Sequence, residues 1–307
     1  MNILIAGASG FIGQHLVKEL EKQHSITVLG RDIKRLKNTF HQPIKLCNWD
    51  ALDKLNAQSY NAVINLCGHN IGASRWNPKV KQLLIDSRVK TCSALIKWAI
   101  DQNAKPHFYT ANAIGIYGLQ KNGVTQGFDE NSPIDLDNPP DFLAEIGALW
   151  QKAMQPAIDQ GMPVTITRFG VVLKKEEGML KKLSPSFYLG MGAIIGDGKQ
   201  VLSWIHIDDL VAAYSFLLAQ PKLIGNFNLT APFPLSQAKF AQTLAKAMHR
   251  PLFLKIPAIL IRKLFGEMGE CLLLRGQRVL PKRLLAEGFV FQYPKVALAL
   301  NHEFESS

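Results

Sequence analysis

The sequence predicts an α/β protein: a doubly wound parallel sheet followed by a smaller, mostly helical lobe toward the C-terminus. Three observations predict it. Apolar strand-length runs alternate with helix-length segments through the first half of the chain. That is the pattern of right-handed βαβ units, whose helices cover both faces of a parallel sheet. The first apolar run breaks into regularly spaced glycines and then into an amphipathic stretch. Beyond Leu173 the alternation loosens, and helical patterns interrupted at Pro257 and Pro281 take over.

Residues 3–13 read ILIAGASGFIG. Ile3 to Ala6 suit a strand buried on both faces. Gly7, Gly10 and Gly13 follow, and a helix begins near Phe11 with Ile12, Leu16 and Leu20 on its apolar side. Glycines at these places allow a tight turn, close approach of backbone to a pyrophosphate, and packing of helix on strand. The helix N-terminus, with its free amides and positive dipole end, faces the anion. The opening therefore reads as a Rossmann-type unit that binds a dinucleotide.

Further strands are expected at Ile26–Leu29, Ile44–Leu46, Ala62–Leu66, His107–Thr110 and Val164–Arg168. Long helices are expected from about Pro78 to Asn103 and from Phe142 to Gln160. Residues 184–202 are rich in Gly, Pro and Ser and read as a loop, part of an excursion near 174–202. Trp204 to Gln220 reads as a short strand and a helix, and Ser236 to Arg250 as a helix with Ser236 at its N-cap. Two helical patterns, about 257–275 and 281–287, complete the tail. The expected division is 1–230 for the cofactor domain and 231–307 for a substrate lobe, with ligand at the C-terminal edge of the sheet.

The chain of 307 residues is 47% hydrophobic and 19% charged, an ordinary composition for a packed globular protein. No apolar run has the length of a membrane span, and the N-terminus reads as a strand rather than a signal peptide. Cys47, Cys67, Cys92 and Cys271 show no metal spacing and read as free thiols of a cytoplasmic protein, so no metal is expected. The net charge of +11 comes without a nucleic-acid motif. A small-molecule substrate and a phosphorylated cofactor are expected as partners, with no nucleic acid and no membrane. A homodimer is left open.

The second strand ends Val28-Leu29-Gly30-Arg31-Asp32. An acidic residue at such a tip favours NAD, whereas an arginine pairs with the 2′-phosphate of NADP. Arg31, with Lys34 and Arg35 one turn on, favours NADP; in the alternative, Asp32 turns in and the cations only flank a helix. Asp50 is a candidate adenine contact or turn cap. Leu66-Cys67-Gly68 ends the fourth strand, where small residues let backbone pass beneath the cofactor ribose. Cys67 reads as a small apolar residue rather than a reactive thiol.

Several segments together carry a resemblance: Asn65-Leu-Cys-Gly68, Arg75-Trp76, Asp86-Ser-Arg88, Arg168-Phe-Gly-Val-Val-Leu173, Trp204-Ile-His-Ile-Asp-Asp209, and Gln277-Arg-Val-Leu-Pro281 leading to Gly288-Phe289. The chain resembles the atypical extended short-chain dehydrogenase/reductases called epimerase family proteins, and its tail resembles their C-terminal domain of unknown function. The resemblance implies cofactor contacts at Gly7, Ser9, Gly10, Phe11, Ile12, Gly13, Gly30, Arg31, Leu66, Cys67, Gly68, Arg88 and Val172. For Arg88 the other reading is a surface salt bridge, for example with Asp86.

In the superfamily this resemblance points to, classical members use Tyr-x-x-x-Lys on a helix, where the lysine lowers the tyrosine pKa for proton transfer. The matching helix here reads DFLAEIGALWQKAM and places Leu143 and Gly147 at the two positions. The catalytic candidates left are Thr110, Asn112 and Tyr117 at the end of the fifth strand, with core packing the alternative for Tyr117. His206 with Asp208 and Asp209 reads mainly as a strand end with a capping aspartate. Arg75 and Trp76 read as a substrate clamp or as lid packing. His69 and Lys199 are lesser candidates, and Arg278 and Arg283 have no assigned role. The resemblance implies an NADP(H)-dependent oxidoreductase or epimerase-like enzyme acting on a small molecule such as a nucleotide sugar. A non-catalytic NADP-binding redox sensor or scaffold, with a link to cell division, is the alternative.

Overall fold

The computed structural model describes residues 1–40 and 43–305. In chain order the first half gives β1 (Asn2–Ala6), α1 (Phe11–Leu20), β2 (Ser25–Gly30), α2 (Ile33–Thr39), β3 (Lys45–Asn48), β4 (Ala62–Asn65), α3 (Pro78–Asp101), β5 (His107–Ala113), α4 (Phe142–Lys152), α5 (Gln155–Asp159) and β6 (Val164–Phe169). The second half gives β7 (Val171–Lys174), α6 (Gly178–Tyr188), β8 (Ala193–Ile195), β9 (Val201–Leu202), β10 (Trp204–His206), α7 (Ile207–Ala219), β11 (Gly225–Leu229), β12 (Leu235–Ser236), α8 (Gln237–Ala247), β13 (Leu254–Ile256), α9 (Ala258–Gly269), α10 (Lys282–Ala286) and α11 (Val296–Glu305).

Seven strands form one parallel sheet in the order β11-β6-β5-β4-β1-β2-β3. Strand order reverses beside β1, so the crevice at its C-terminal edge is the place for a ligand. Ile3, Ile5, Val28 and Ile64 pack on one face with Leu16, Val17, Leu210 and Tyr214. Leu4, Val63 and Phe108 pack on the other with Leu95, Trp98 and Trp150. This is the doubly wound α/β architecture the alternation predicts.

Four expectations need correction. The stretch Phe142–Gln160 is two helices, because Pro156 lacks the amide that would continue the first. The 174–202 excursion holds α6, which runs through Pro185 because Leu180, Ser184 and Phe187 are buried along one side. A seventh sheet strand, β11, lies at an edge with Asn226 and Asn228 inside it. The tail ends in a further helix, α11, packed against α8 through Ala299 and Leu300. Among the described residues no helix is long and apolar enough to cross a membrane, and no cluster of His, Cys, Asp or Glu could hold a metal ion.

Candidate functional site

The turn after β1 is shaped by absent side chains. Gly7 has φ +81°, and a Cβ there would stand 2.8 Å from the Cys67 amide nitrogen and 2.9 Å from the Leu66 carbonyl oxygen. Gly10 is the exposed N-cap of α1 and brings no side chain to its first amides. A Cβ at Gly13 would lie 2.5 Å from Ala8 Cα, so α1 sits directly on the turn. The Ser9 carbonyl accepts from Gln14 Nε2 at 3.1 Å and Arg35 Nη2 at 3.4 Å. Phe11 lies edge-on to His15, and His15 bonds Glu177 at 3.0 Å. The turn between β7 and α6 thereby roofs the start of α1. Ile12 packs into the core beneath, and Val172 sits in β7 paired with Ile205.

Arg31 is exposed immediately beyond β2, whose last residue, Gly30, packs against Leu36. Asp32 does not turn in. Its carboxylate accepts from the Lys34 and Arg35 amides at 2.9 and 3.1 Å and caps α2. Asp32 is thus committed to its own helix. Asp50 is exposed in the first turn of a 3-10 segment whose N-cap position is Asn48, so Asp50 is not at the cap. Burial pushes the Cys67 thiol up to about 12, with Cys92 adding to the effect, so it stays protonated.

Arg88 departs from the salt-bridge reading. Asp86 pairs with Lys90 at 2.7 Å. The Arg88 guanidinium donates to the Leu84 and His69 carbonyls at 2.8 and 3.1 Å, lies 5.0 Å from the Trp150 ring and closes on Gly68. Desolvation lowers its pKa to about 10, which still leaves it charged at neutral pH. It has no carboxylate partner among the described residues. A buried cation without a counter-charge is costly, and an arriving anion removes that cost.

Beside Arg88 lies a cavity of about 340 Å³ between the end of β5, α4, the β6–β7 junction and residues 271–277. Asn112, Leu143, Gly147, Trp150, Cys271 and Arg275 are among its lining residues. Leu143 and Gly147 both face it from α4. A Cβ at Gly147 would lie 2.6 Å from Ile116 Cβ, so α4 could not carry a lysine there without moving. Burial pushes the Cys271 thiol up to about 11, keeping it protonated. Among the described residues, the lining holds no His, Asp, Glu, Lys or Tyr.

The three catalytic candidates separate. Asn112 reaches the cavity, but its amide is used: Nδ2 donates to the Gly147 carbonyl at 3.0 Å and Oδ1 accepts from the Ala113 amide at 2.7 Å. Thr110 is corrected to a core position. It is buried, its hydroxyl faces Cys92 Sγ at 3.7 Å and donates to the Ala111 carbonyl, and it does not line the cavity. Tyr117 is likewise a core hydroxyl. It accepts from Arg168 Nη1 and donates to Asn228 Oδ1, both at 2.8 Å, and its ring stacks on Phe128. Burial raises its pKa against the opposing pull of Arg168.

The remaining polar candidates hold the fold. His206 Nδ1 accepts from the Asp208 amide and caps α7, while Nε2 donates to Glu303 on α11 at 3.0 Å. His206, not an aspartate, is therefore the cap. Asp209 instead accepts from the Gln292 and Tyr293 amides at 2.7 and 3.0 Å. Trp76 packs edge-on to Phe142, the lid-packing reading, and Arg75 lies against Gly266. The His69 backbone serves Ser87 and Arg88, and Lys199 sits in a turn capped by Asp197. Arg278 binds Gln120 through its amide, and Arg283 donates to the Asn226 carbonyl and covers the Phe227 ring. Sequence reasoning misses Arg275 altogether, and the Gln277-Arg-Val-Leu-Pro281 segment is the one signal for Gln277.

Comparison with known proteins agrees with this geometry. Residues 3–229 match the family model of the NAD dependent epimerase/dehydratase family, and residues 256–303 match a domain of unknown function, DUF1731. An epimerase family protein of Mycobacterium bovis is 35% identical over 305 residues, covering 98% of this chain and 96% of that protein. The human epimerase family protein SDR39U1, solved with NADPH, is 31% identical with a TM-score of 0.88 over the whole of both chains. A Thermus thermophilus UDP-glucose 4-epimerase in complex with NAD, 16% identical with a TM-score of 0.75 over the whole of both chains, shares the fold. The chain belongs to the NAD-dependent epimerase/dehydratase family.

Proposed function

We propose that this protein binds NADP(H) and acts as an oxidoreductase or epimerase-like enzyme on a small molecule. The observation that carries the cofactor choice is the strand tip: Asp32 is spent on α2, and Arg31 is exposed beside it. The residues fit a dinucleotide. Gly10 leaves open the space at the start of α1 that a Cβ would enter, and the buried charge of Arg88 has no carboxylate partner among the described residues. Gly7 to Gly13 would hold the pyrophosphate, Gly30 and Arg31 the adenosine side, and Leu66, Cys67, Gly68, Arg88 and Val172 the remainder. The NADPH-bound human relative supports the same choice.

The cofactor supplies hydride chemistry when bound. This chain's residues would orient the reactants and exclude water through Leu143, Ile146, Trp150 and Leu272. Asn112 fixes the backbone of α4 through the Gly147 carbonyl. No cavity residue is placed to shuttle a proton near neutral pH, so the proton comes from substrate or water. The second reading, a non-catalytic NADP-binding sensor or scaffold, is favoured by Leu143 and Gly147 in the catalytic places. Oxidation of bound NADPH by a candidate substrate, followed at the nicotinamide absorbance, decides between them. The division at 230/231 and a cytoplasmic location belong to the same proposal.

Arg31→Asp tests the cofactor assignment. NADPH affinity is expected to fall by about 100-fold, the scale of one lost charge-assisted contact plus a new repulsion, while NADH affinity changes little. Equal loss of both, measured by nicotinamide fluorescence, sinks the 2′-phosphate assignment.

A further inference from the structure

We propose that the cavity takes a small carboxylate with an apolar body, and that Arg275 binds the carboxylate. The proposal rests on the reading that NADP(H) occupies the glycine turn and takes Arg88 as its partner. Two arginines and no acid line the cavity, so its polarity is set for an anion. Arg88 is pinned to the Leu84 and His69 carbonyls. Arg275 is held differently. Its Nε is buried without a hydrogen-bond partner among the described residues, and Glu270 lies 3.8 Å from Nη1. Glu270 is itself engaged by Arg262 at 2.7 Å, which leaves the Arg275 fork under-used.

The backbone that presents Arg275 is fixed on its C-terminal side. A Cβ at Gly276 would come 2.1 Å from the Val201 carbonyl oxygen, and the Gly276 carbonyl accepts from the Gln120 amide at 3.0 Å. Gln277 Nε2 donates to the Ile114 carbonyl. Arg275 also lines a second cleft of about 330 Å³ with Lys121, Asn122, Asp197, Arg262 and its neighbour Glu270. Arg275 is thus the wall shared by a polar cleft and an apolar cavity. A rigidly based arginine in that position suits bidentate capture of a carboxylate whose apolar part lies against Leu143, Ile146 and Trp150.

The same features argue against a nucleotide sugar. The cavity is at the small end for ligand sites and must also admit the nicotinamide end of the cofactor. A diphosphate needs several cations, and sugar hydroxyls need free polar groups. Here Asn112, Ser203 and Gln277 are committed to backbone partners.

The test is calorimetric titration of the NADP-saturated protein with 2-naphthoate, its neutral amide 2-naphthamide, and UDP-glucose. Naphthoate is expected to bind at least about tenfold tighter than the amide, the scale of one hydrogen-bonded charge. Arg275→Gln should erase that difference, Arg275→Lys should restore part of it, and NADPH affinity should stay unchanged in both. Equal binding of naphthoate and amide, absence of naphthoate binding, tighter binding of UDP-glucose, or a preference that survives Arg275→Gln each overturns the proposal. Failure of the wild-type protein to bind NADPH refutes the cofactor reading instead. The same titration on cofactor-free protein then still decides for or against Arg275.

Discussion

Glu303→Gln is expected to lower stability at neutral pH by roughly 3 kcal/mol and to remove this carboxylate's own share of the loss of stability in acid. Glu303 is buried on α11, where its carboxylate receives the His206 ring, the Lys174 ammonium and the Lys175 amide. Burial alone would raise its pKa. The hydrogen bonds from His206, Lys174 and the Lys175 amide prevail and hold it down to about 2, against an ordinary value of 4.5. The ionised form is therefore favoured by folding. Its contribution is fully present above about pH 4.5 and is lost as pH falls toward 2.

The measurement is urea unfolding of wild type and Glu303→Gln at pH 7 and pH 3. The gap between them should more than halve at the lower pH. Asp209, whose pKa burial raises, contributes with the opposite sign, but it is present in both proteins and cancels from the comparison. A gap of the same size at both pH values would mean that the carboxylate acts through packing and not through its charge. The contact ties the last helix to β7 and α7, so its loss should also loosen the C-terminal helices, read as faster amide exchange in α11.

What was legible in the sequence was whatever a short stretch decides by itself. The β1–turn–α1 unit needs only an apolar run, three glycines and a helical stripe, and all lie within residues 3–20. Ser236 caps α8 as its chemistry suggests, accepting from the Lys239 amide. What was not legible depends on distant partners. Pro185 argues against a helix locally, yet α6 forms because its buried face has Trp204 and Phe240 to pack with. Asn228 looks wrong for a strand until Tyr117, Glu130 and the Leu280 carbonyl supply its partners. Thr110 and Tyr117 have the right chemistry for a site but point into the core, which only the packing of α3 and Arg168 reveals. The cavity joins Asn112 to Arg275 across 163 residues of chain, and no local pattern announces such a meeting.

The glycine turn offers the sharpest separation of fold from binding, because its glycines are needed for different reasons. Gly7→Ala should damage both. It forces a Cβ onto a residue at φ +81° and within 2.9 Å of the Leu66–Cys67 backbone just beyond β4, so strands or loop must shift. A loss of roughly 2–4 kcal/mol in stability and of measurable NADPH binding is expected. Gly123→Ala is the control for strain alone, since Gly123 has φ +88° with nothing within 4 Å of a Cβ. Its cost should stay near 1 kcal/mol, with binding intact. Gly10→Ala is the decisive variant. Its backbone, at φ −81°, accepts any residue, and the nearest atom to a Cβ is the Gly7 carbonyl oxygen at 3.3 Å. Stability should change by no more than about 0.5 kcal/mol, while NADPH affinity falls by about 100-fold, because the added methyl occupies the space through which a phosphate reaches the α1 amides. Thermal unfolding and NADPH fluorescence titration on the same samples give both readouts. Normal NADPH binding by a folded Gly10→Ala protein would show that no phosphate approaches this turn, and the cofactor would have to be placed elsewhere on the sheet edge.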